Sequence, residues 1–229
     1  MHASTEKVWD PLVRVGHWLL VALFAVSYLS GEEGGQLHIW SGYAIAALVV
    51  IRVVWGFVGP RHARFSDFLF TPARIARYVK NLAVGHPKRF LGHSPAGGVM
   101  VVLLLAALAG TTFTGMAHYA QEEGAGPLAP WYAASVERPG APSLIGSARA
   151  DDAGEEGEYG EAYAGGEGEE AEGGEAFEEL HETLANLTLV LIGLHIAGVV
   201  YSSWAHHENL IKAMVTGRKR AEERPAGAD

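Results

Sequence analysis

The chain has 229 residues, 49% of them hydrophobic, with a formal charge of −9 and no cysteine. Absence of thiols excludes disulfides, thioether-linked cofactors and thiolate-held clusters. The negative charge is local, because Ala150 to Glu179 holds 13 acids and no base; the remainder is net positive, and no nucleic-acid partner is expected.

Length alone would suit one soluble domain, but the apolar residues are gathered into four stretches near Leu12–Ser30, Ile39–Val58, Ala96–Ala117 and Leu184–Trp204. Each approaches the roughly 20 residues that a helix needs to cross a bilayer. The expected fold class is therefore all-α, an integral membrane four-helix bundle. Three regions follow: residues 1–121 with helices one to three and their basic connection, an acidic Gly/Glu-rich insertion over 122–177, and residues 178–229 with the fourth helix and a tail. The first stretch carries His17 and lacks a small-residue cleavage site before Gly31, so it reads as a retained span and not a signal peptide.

Asp10 followed by Pro11 is a cap and first turn for helix one. Between Gly59 and His93 stand Arg61, Arg64, Arg74, Arg77, Lys80, Lys88 and Arg89 against one acid, Asp67, and Lys212, Arg218, Lys219, Arg220 and Arg224 follow the last helix. The positive-inside rule makes this connection and both termini cytoplasmic. Phe65–Phe70 and Pro72–Leu82 alternate apolar residues with Arg74, Arg77 and Lys80, as expected of helix lying along the membrane surface. Helix three is rich in Gly and Ala, which suits close helix packing and equally suits a flat macrocycle against backbone. On the outer side, Trp131 and Tyr132 are expected to pack over the bundle end. Ala150 to about Ala176 has too few apolar residues for a core and is expected to be disordered. It is read as a solvated insertion, with electrostatic docking of a basic partner and metal capture as alternatives.

The histidines carry the chemistry. An ionisable ring in hydrocarbon is costly and turns toward the bundle interior, and His17, His38, His181 and His195 all lie in or at the head of the apolar stretches. His181 and His195 are 14 residues apart, which puts them within about 40° on one helical face and about 21 Å apart along it. Depth then pairs His17 with His195 on the cytoplasmic side and His38 with His181 on the outer side, each pair an axial ligand set for a haem without a covalent link. Arg52 follows His38 by the same interval; a buried arginine needs a partner, and a haem propionate or the nearby membrane surface would serve. Arg14, one turn before His17, has the same two readings, with the surface favoured. His118 is a reserve ligand just past helix three. His206 and His207 are expected at the surface, and so are His62, His86 and His93 in the basic connection, with propionate contact or proton exchange near a quinone as the alternative for these three.

The stretches Val8–Arg14 leading to His17-Trp18, Leu37–Tyr43, Arg52–Gly59 with Ala63-Arg64-Phe65, and His181 through His195 to Glu208–Arg220 together resemble the bacterial cytochrome b561 family, including the b-type cytochrome subunits of nickel-iron hydrogenases. The resemblance leaves out only the acidic insertion, which departs from the family pattern. It implies a four-helix inner-membrane cytochrome with two haem b groups, its ligand positions matching His17, His38, His181 and His195. It also implies electron exchange between the quinone pool and a periplasmic redox protein such as a c-type cytochrome or a hydrogenase-like module. A homodimer is compatible with this. Two other classes stay open: an enzyme acting on a small redox substrate such as superoxide with quinone as acceptor, and a non-haem transporter using the histidines as proton relays.

Overall fold

The computed structural model describes residues 5–85, 88–132 and 167–221, of which 167–174 are described by their backbone alone. The elements in order are β1 (Thr5–Lys7), α1 (Pro11–Leu29), α2 (Gln36–Val58), a 3-10 turn (Arg61–Ala63), α3 (Phe65–Phe68), α4 (Pro72–Ala83), α5 (Pro95–Glu123), α6 (Ala129–Tyr132), α7 (Glu167–Ala205), α8 (Leu210–Thr216) and β2 (Arg218–Arg220). Four helices are long and apolar enough to span a bilayer: α1, α2, α5 and the Glu175–Ala205 part of α7. Their surfaces agree with a lipid solvent, since Leu29, Phe57, Val190, Leu194 and Val200 are all more than half exposed. In water such a surface would be an unusually large apolar patch.

The chain divides into two compact units, residues 1–112 with 183–229 and residues 113–182. In the first, α1, α2 and α5 meet at buried Ile45, Val49 and Leu108, against which Leu20, Leu23, Phe24 and Leu105 pack. Asp10 caps α1 as expected, its Oδ1 accepting from the Leu12 and Val13 amides at 3.0 and 3.2 Å. Small residues let α5 approach α7: a Cβ on Gly110 would sit 3.1 Å from a Leu184 methyl. One turn on, the Thr111 and Thr188 hydroxyls are 3.4 Å apart, both residues buried. Close packing of this kind replaces the hydrophobic effect as the association force inside lipid. Tyr28 also donates to Asn186 Oδ1 at 3.0 Å, joining α1 to α7.

The basic connection forms α3 and α4, as the alternation predicted. Tyr78 is the buried face of α4 and Arg77 and Lys80 are exposed, while Arg74 stacks on the Phe70 ring at 4.4 Å. Tyr201 donates to the Leu82 carbonyl at 3.1 Å and so fastens the end of α4 to α7. Asp67, the one acid of the connection, takes both His62 Nδ1 at 3.0 Å and Arg61 Nε at 3.4 Å.

Three expectations need correction. The third helix does not end near Ala117 but continues to Glu123, so His118 lies inside it. The fourth begins at Glu167, which makes Glu167–Ala176 helical where disorder was expected. The reason is common to both: Glu, Gln and Ala are strong helix formers, and an apolar helix already nucleated below extends into them at little cost. His86 and residues 133–166 of the acidic insertion lie outside the described residues.

The third correction is that His62 and His206, expected at the surface, are half-buried. Strands β1 and β2 pair antiparallel, Thr5 with Arg220 and Lys7 with Arg218, so both ends of the chain meet at one end of the bundle, as an even number of crossings demands. Gly217 closes α8 in the left-handed region (φ 78°), with its amide on the Ala213 carbonyl. Its own carbonyl accepts from the Val8 amide at 2.8 Å.

Behind β2, Glu208 sits under a bidentate Arg89, with contacts of 2.9 and 3.3 Å, and accepts from the Arg220 amide at 2.9 Å. Lys219, 6% exposed, donates to the Phe90 carbonyl at 3.0 Å and lies 3.8 Å from Glu208. Burial pushes the Glu208 carboxyl upward, but the Arg89 and Arg220 hydrogen bonds and the Lys219 and Arg89 charges outweigh it and hold it below the usual value of 4.5. A depressed carboxyl stabilises the fold above its unfolded pKa, and that contribution is lost as pH falls through the folded value. Glu208→Gln is expected to cost about 3 kcal/mol by leaving buried cations short of a counter-charge. Thermal unfolding in detergent checks this: the variant melts lower than wild type at pH 7, and the gap narrows on acidification below about pH 4.5.

Candidate functional site

His17 stands on the second turn of α1 and His195 on α7, and the fold brings the two rings together. Their centres are 6.3 Å apart with planes at 62°. Two imidazoles sharing a hydrogen bond would have centres about 5 Å apart. Two imidazoles bound to one metal at about 2.0 Å from each nitrogen would have centres about 6 Å apart, which is the observed separation. Trp18 flanks His17 edge-on at 5.4 Å. Among the described residues no group of three or more His, Cys, Asp or Glu side chains is arranged to hold a metal, so a pair of imidazoles fits an iron whose other four donors come from a macrocycle. That is the donor set of a bis-histidine haem.

The other two histidines are held through Nδ1. On α2, His38 Nδ1 donates to the Ser27 carbonyl near the end of α1 at 2.9 Å, with the Ser27 hydroxyl at 3.5 Å. A carbonyl accepts only, so it fixes the tautomer with the proton on Nδ1 and the lone pair on Nε2, the orientation device of metal-ligating histidines. In the second unit, His181 Nδ1 lies 3.4 Å from the Thr114 hydroxyl. Its ring also rests directly on the α5 backbone, since a Cβ on Gly115 would fall 2.7 Å from His181 Cε1. Of the two uses open to the Gly and Ala residues of helix three, the structure assigns Gly110 to helix packing and Gly115 to the imidazole itself.

The arginines divide. Arg14 Nη1 donates to the Thr216 carbonyl at the end of α8, 2.9 Å away, and thus anchors the tail. Arg52 is half-buried with its guanidinium 5.6 Å from the Phe65 ring centre, and its Nη1 is sealed from solvent without a hydrogen-bond partner. An orphaned cation nitrogen inside a span fits a carboxylate ligand.

His93 overturns the default expectation of an exposed position. It is half-buried between Trp9 and Phe68, with ring centres at 4.6 and 4.5 Å, and its Nδ1 is fully covered. Burial first, then the Arg52, Lys219, His62 and His195 charges, push it down to about 3, so it is neutral at physiological pH. Gly98 places it there: a Cβ on that residue would collide with the Phe68 carbonyl, so only glycine lets α5 start against α3. Of the remaining histidines, His207 is exposed as expected, and His62 and His206 are half-buried.

A family model described as prokaryotic cytochrome b561 matches residues 8–217. The chain belongs to that family. It is a multi-pass bacterial membrane protein of the b-type cytochrome kind, and its haem is of the b type. Among curated relatives, probable Ni/Fe-hydrogenase B-type cytochrome subunits of Rhizobium leguminosarum bv. viciae, Bradyrhizobium diazoefficiens and Rhodobacter capsulatus are 27%, 24% and 25% identical to this cytochrome. The matches cover 52%, 52% and 54% of this chain and 61%, 60% and 58% of those relatives. The cytochrome thus aligns with only about three fifths of their length. No solved structure matches it.

Proposed function

We propose that this cytochrome carries electrons through the membrane between quinone and a redox protein on the outer face, using two haem b groups. The 6.3 Å separation of the His17 and His195 rings carries the reading, because it is the span of an iron between two imidazoles and too long for a hydrogen bond. Bis-imidazole iron, when bound, supplies one-electron transfer with no open coordination position. His17 and His195 serve the cytoplasmic-side haem. His38 and His181 serve the outer one, an assignment that follows from their sequence register. The helices exclude water from both, and Ser27 and Thr114 hold the His38 and His181 Nδ1 atoms.

Arg52 is the proposed propionate partner on the cytoplasmic side. Arg14, whose Nη1 donates to the Thr216 carbonyl, acts there as the anchor of the tail. Quinol oxidation releases two electrons and two protons, so two one-electron centres suit it stoichiometrically. The outer partner is a c-type cytochrome or a hydrogenase-like module, the latter in keeping with the names of the relatives. The basic connection and both termini face the cytoplasm, in keeping with the positive-inside rule.

Purified protein is expected to contain two haem b per chain, with a reduced b-type absorption band that develops on adding quinol in proteoliposomes and decays on adding an outer c-type cytochrome. One haem per chain, or haems that quinol leaves oxidised, would contradict the proposal.

A further inference from the structure

Five buried side-chain polar atoms among the described residues lack a hydrogen-bond partner, and four of them, Arg14 Nε, Arg52 Nη1, Trp55 Nε1 and His93 Nδ1, lie where α1 and α5 begin and α2 ends. A buried donor left unmade costs about 1–3 kcal/mol, and native folds hold few of them. These four are all nitrogens able to donate, so the missing partner is an acceptor. Arg52 makes no salt bridge among the described residues, and the nearby Asp10 carboxylate is engaged in capping α1. A cation at this depth is expected to meet an anion.

Arg52 and His93 flank one aromatic pair. The guanidinium lies over Phe65, Phe65 packs edge-on against Phe68 at 5.6 Å, and Phe68 meets His93 at 4.5 Å. Trp55 follows Arg52 by three residues and so shares its helix face. The site also borders the ligand pair through α1, since Trp9, just before that helix, packs on His93 at 4.6 Å and His17 stands on the helix's second turn.

We infer that Arg52 and His93, with Trp55 beside them, form a carboxylate cradle that holds a propionate of the haem ligated by His17 and His195. The inference rests on the bis-histidine reading of that pair. Arg52 supplies the charge, His93 and Trp55 supply neutral N–H donors, and charge-assisted hydrogen bonds of this kind are short and directional. His93 is a positioning residue: it fixes the macrocycle's rotation about the imidazole–iron axis and tempers the negative charge near the metal.

The test uses the whole purified protein carrying haem with 13C-labelled carboxyl groups, in a His38→Ala background that retains only the cytoplasmic-side haem. Redox-difference infrared spectra are expected to place a labelled carboxylate band away from its water-solvated position. Arg52→Gln and His93→Phe should each shift that band and lower the haem's midpoint potential, because a less neutralised propionate favours oxidised iron. His93→Asn, which keeps an N–H donor, should restore most of both. Labelled carboxylates at the solvated position in the His38→Ala protein overturn the cradle, even if the further variants lose haem. Unchanged bands and midpoints in variants that keep haem do the same. Haem retained at full occupancy in both His17→Ala and His195→Ala would instead remove the underlying bis-histidine reading.

Discussion

Alanine at His17 or at His195 will remove one and the same haem and leave the other in place. The two residues come from opposite ends of the sequence, on α1 and α7, yet their rings are 6.3 Å apart. On the proposed reading the two would hold one iron together, and an iron left with a single protein ligand in a lipid-facing bundle is expected to be lost. Both variants are therefore expected to contain about half the wild-type haem, in line with the single-site ligand role of histidine, and to show identical residual spectra. The measurement is haem stoichiometry with a low-temperature reduced-minus-oxidised spectrum of each variant. Different residual spectra would mean that the two histidines serve different centres. The fold should survive, because α1 and α7 are also joined through Tyr28 and Asn186.

Gly115→Val is the converse experiment at the other centre. Even the Cβ of alanine would lie 2.7 Å from His181 Cε1 and 2.9 Å from Nδ1, closer than side-chain carbons approach ring atoms. The ring is also tethered at Nδ1 by Thr114, so it cannot swing aside without losing that contact. Overpacking of this kind costs about 1–3 kcal/mol, equivalent to about tenfold to hundredfold weaker haem retention. Gly115→Ala should lower occupancy of the outer haem and Gly115→Val should empty it, with the His17–His195 centre unaffected. Gly110→Ala is the control, since the Leu184 methyl it meets at 3.1 Å can rotate away. Haem titration of the three purified variants reads the difference, and a Gly115→Val protein with two tightly held haems would remove the proposed role of His181.

Much of the site was legible because helical period and membrane thickness are rigid rules. The 14-residue interval of His181 and His195 implies one face and two depths whatever the loops do, and the ring pair at His17 and His195 follows from depth alone. Helix ends were less legible. Glu167–Ala176 and His118–Glu123 lack an apolar stripe, and only their high helix propensity shows where an existing helix will go on. The burial of His93 was not legible, although propionate contact stood as the alternative to an exposed position. Its burial depends on Trp9, Phe68 and Gly98, drawn from three separate segments, and nothing local in Gly92-His93-Ser94 announces that meeting. The β1–β2 pairing was hidden for a similar reason: Thr5-Glu6-Lys7 and Arg218-Lys219-Arg220 have no apolar alternation, and their register is imposed by Gly217 and Glu208.

That pairing sets an order of events during biosynthesis. Its first strand is made before its second, with the four spans between them, and the ring partners His17 and His195 are divided in the same way. The first span must therefore wait in the bilayer, one imidazole exposed, until the last span inserts and the tail clasps it. Only then do the two rings meet, so a group held between them is loaded after the last span has inserted.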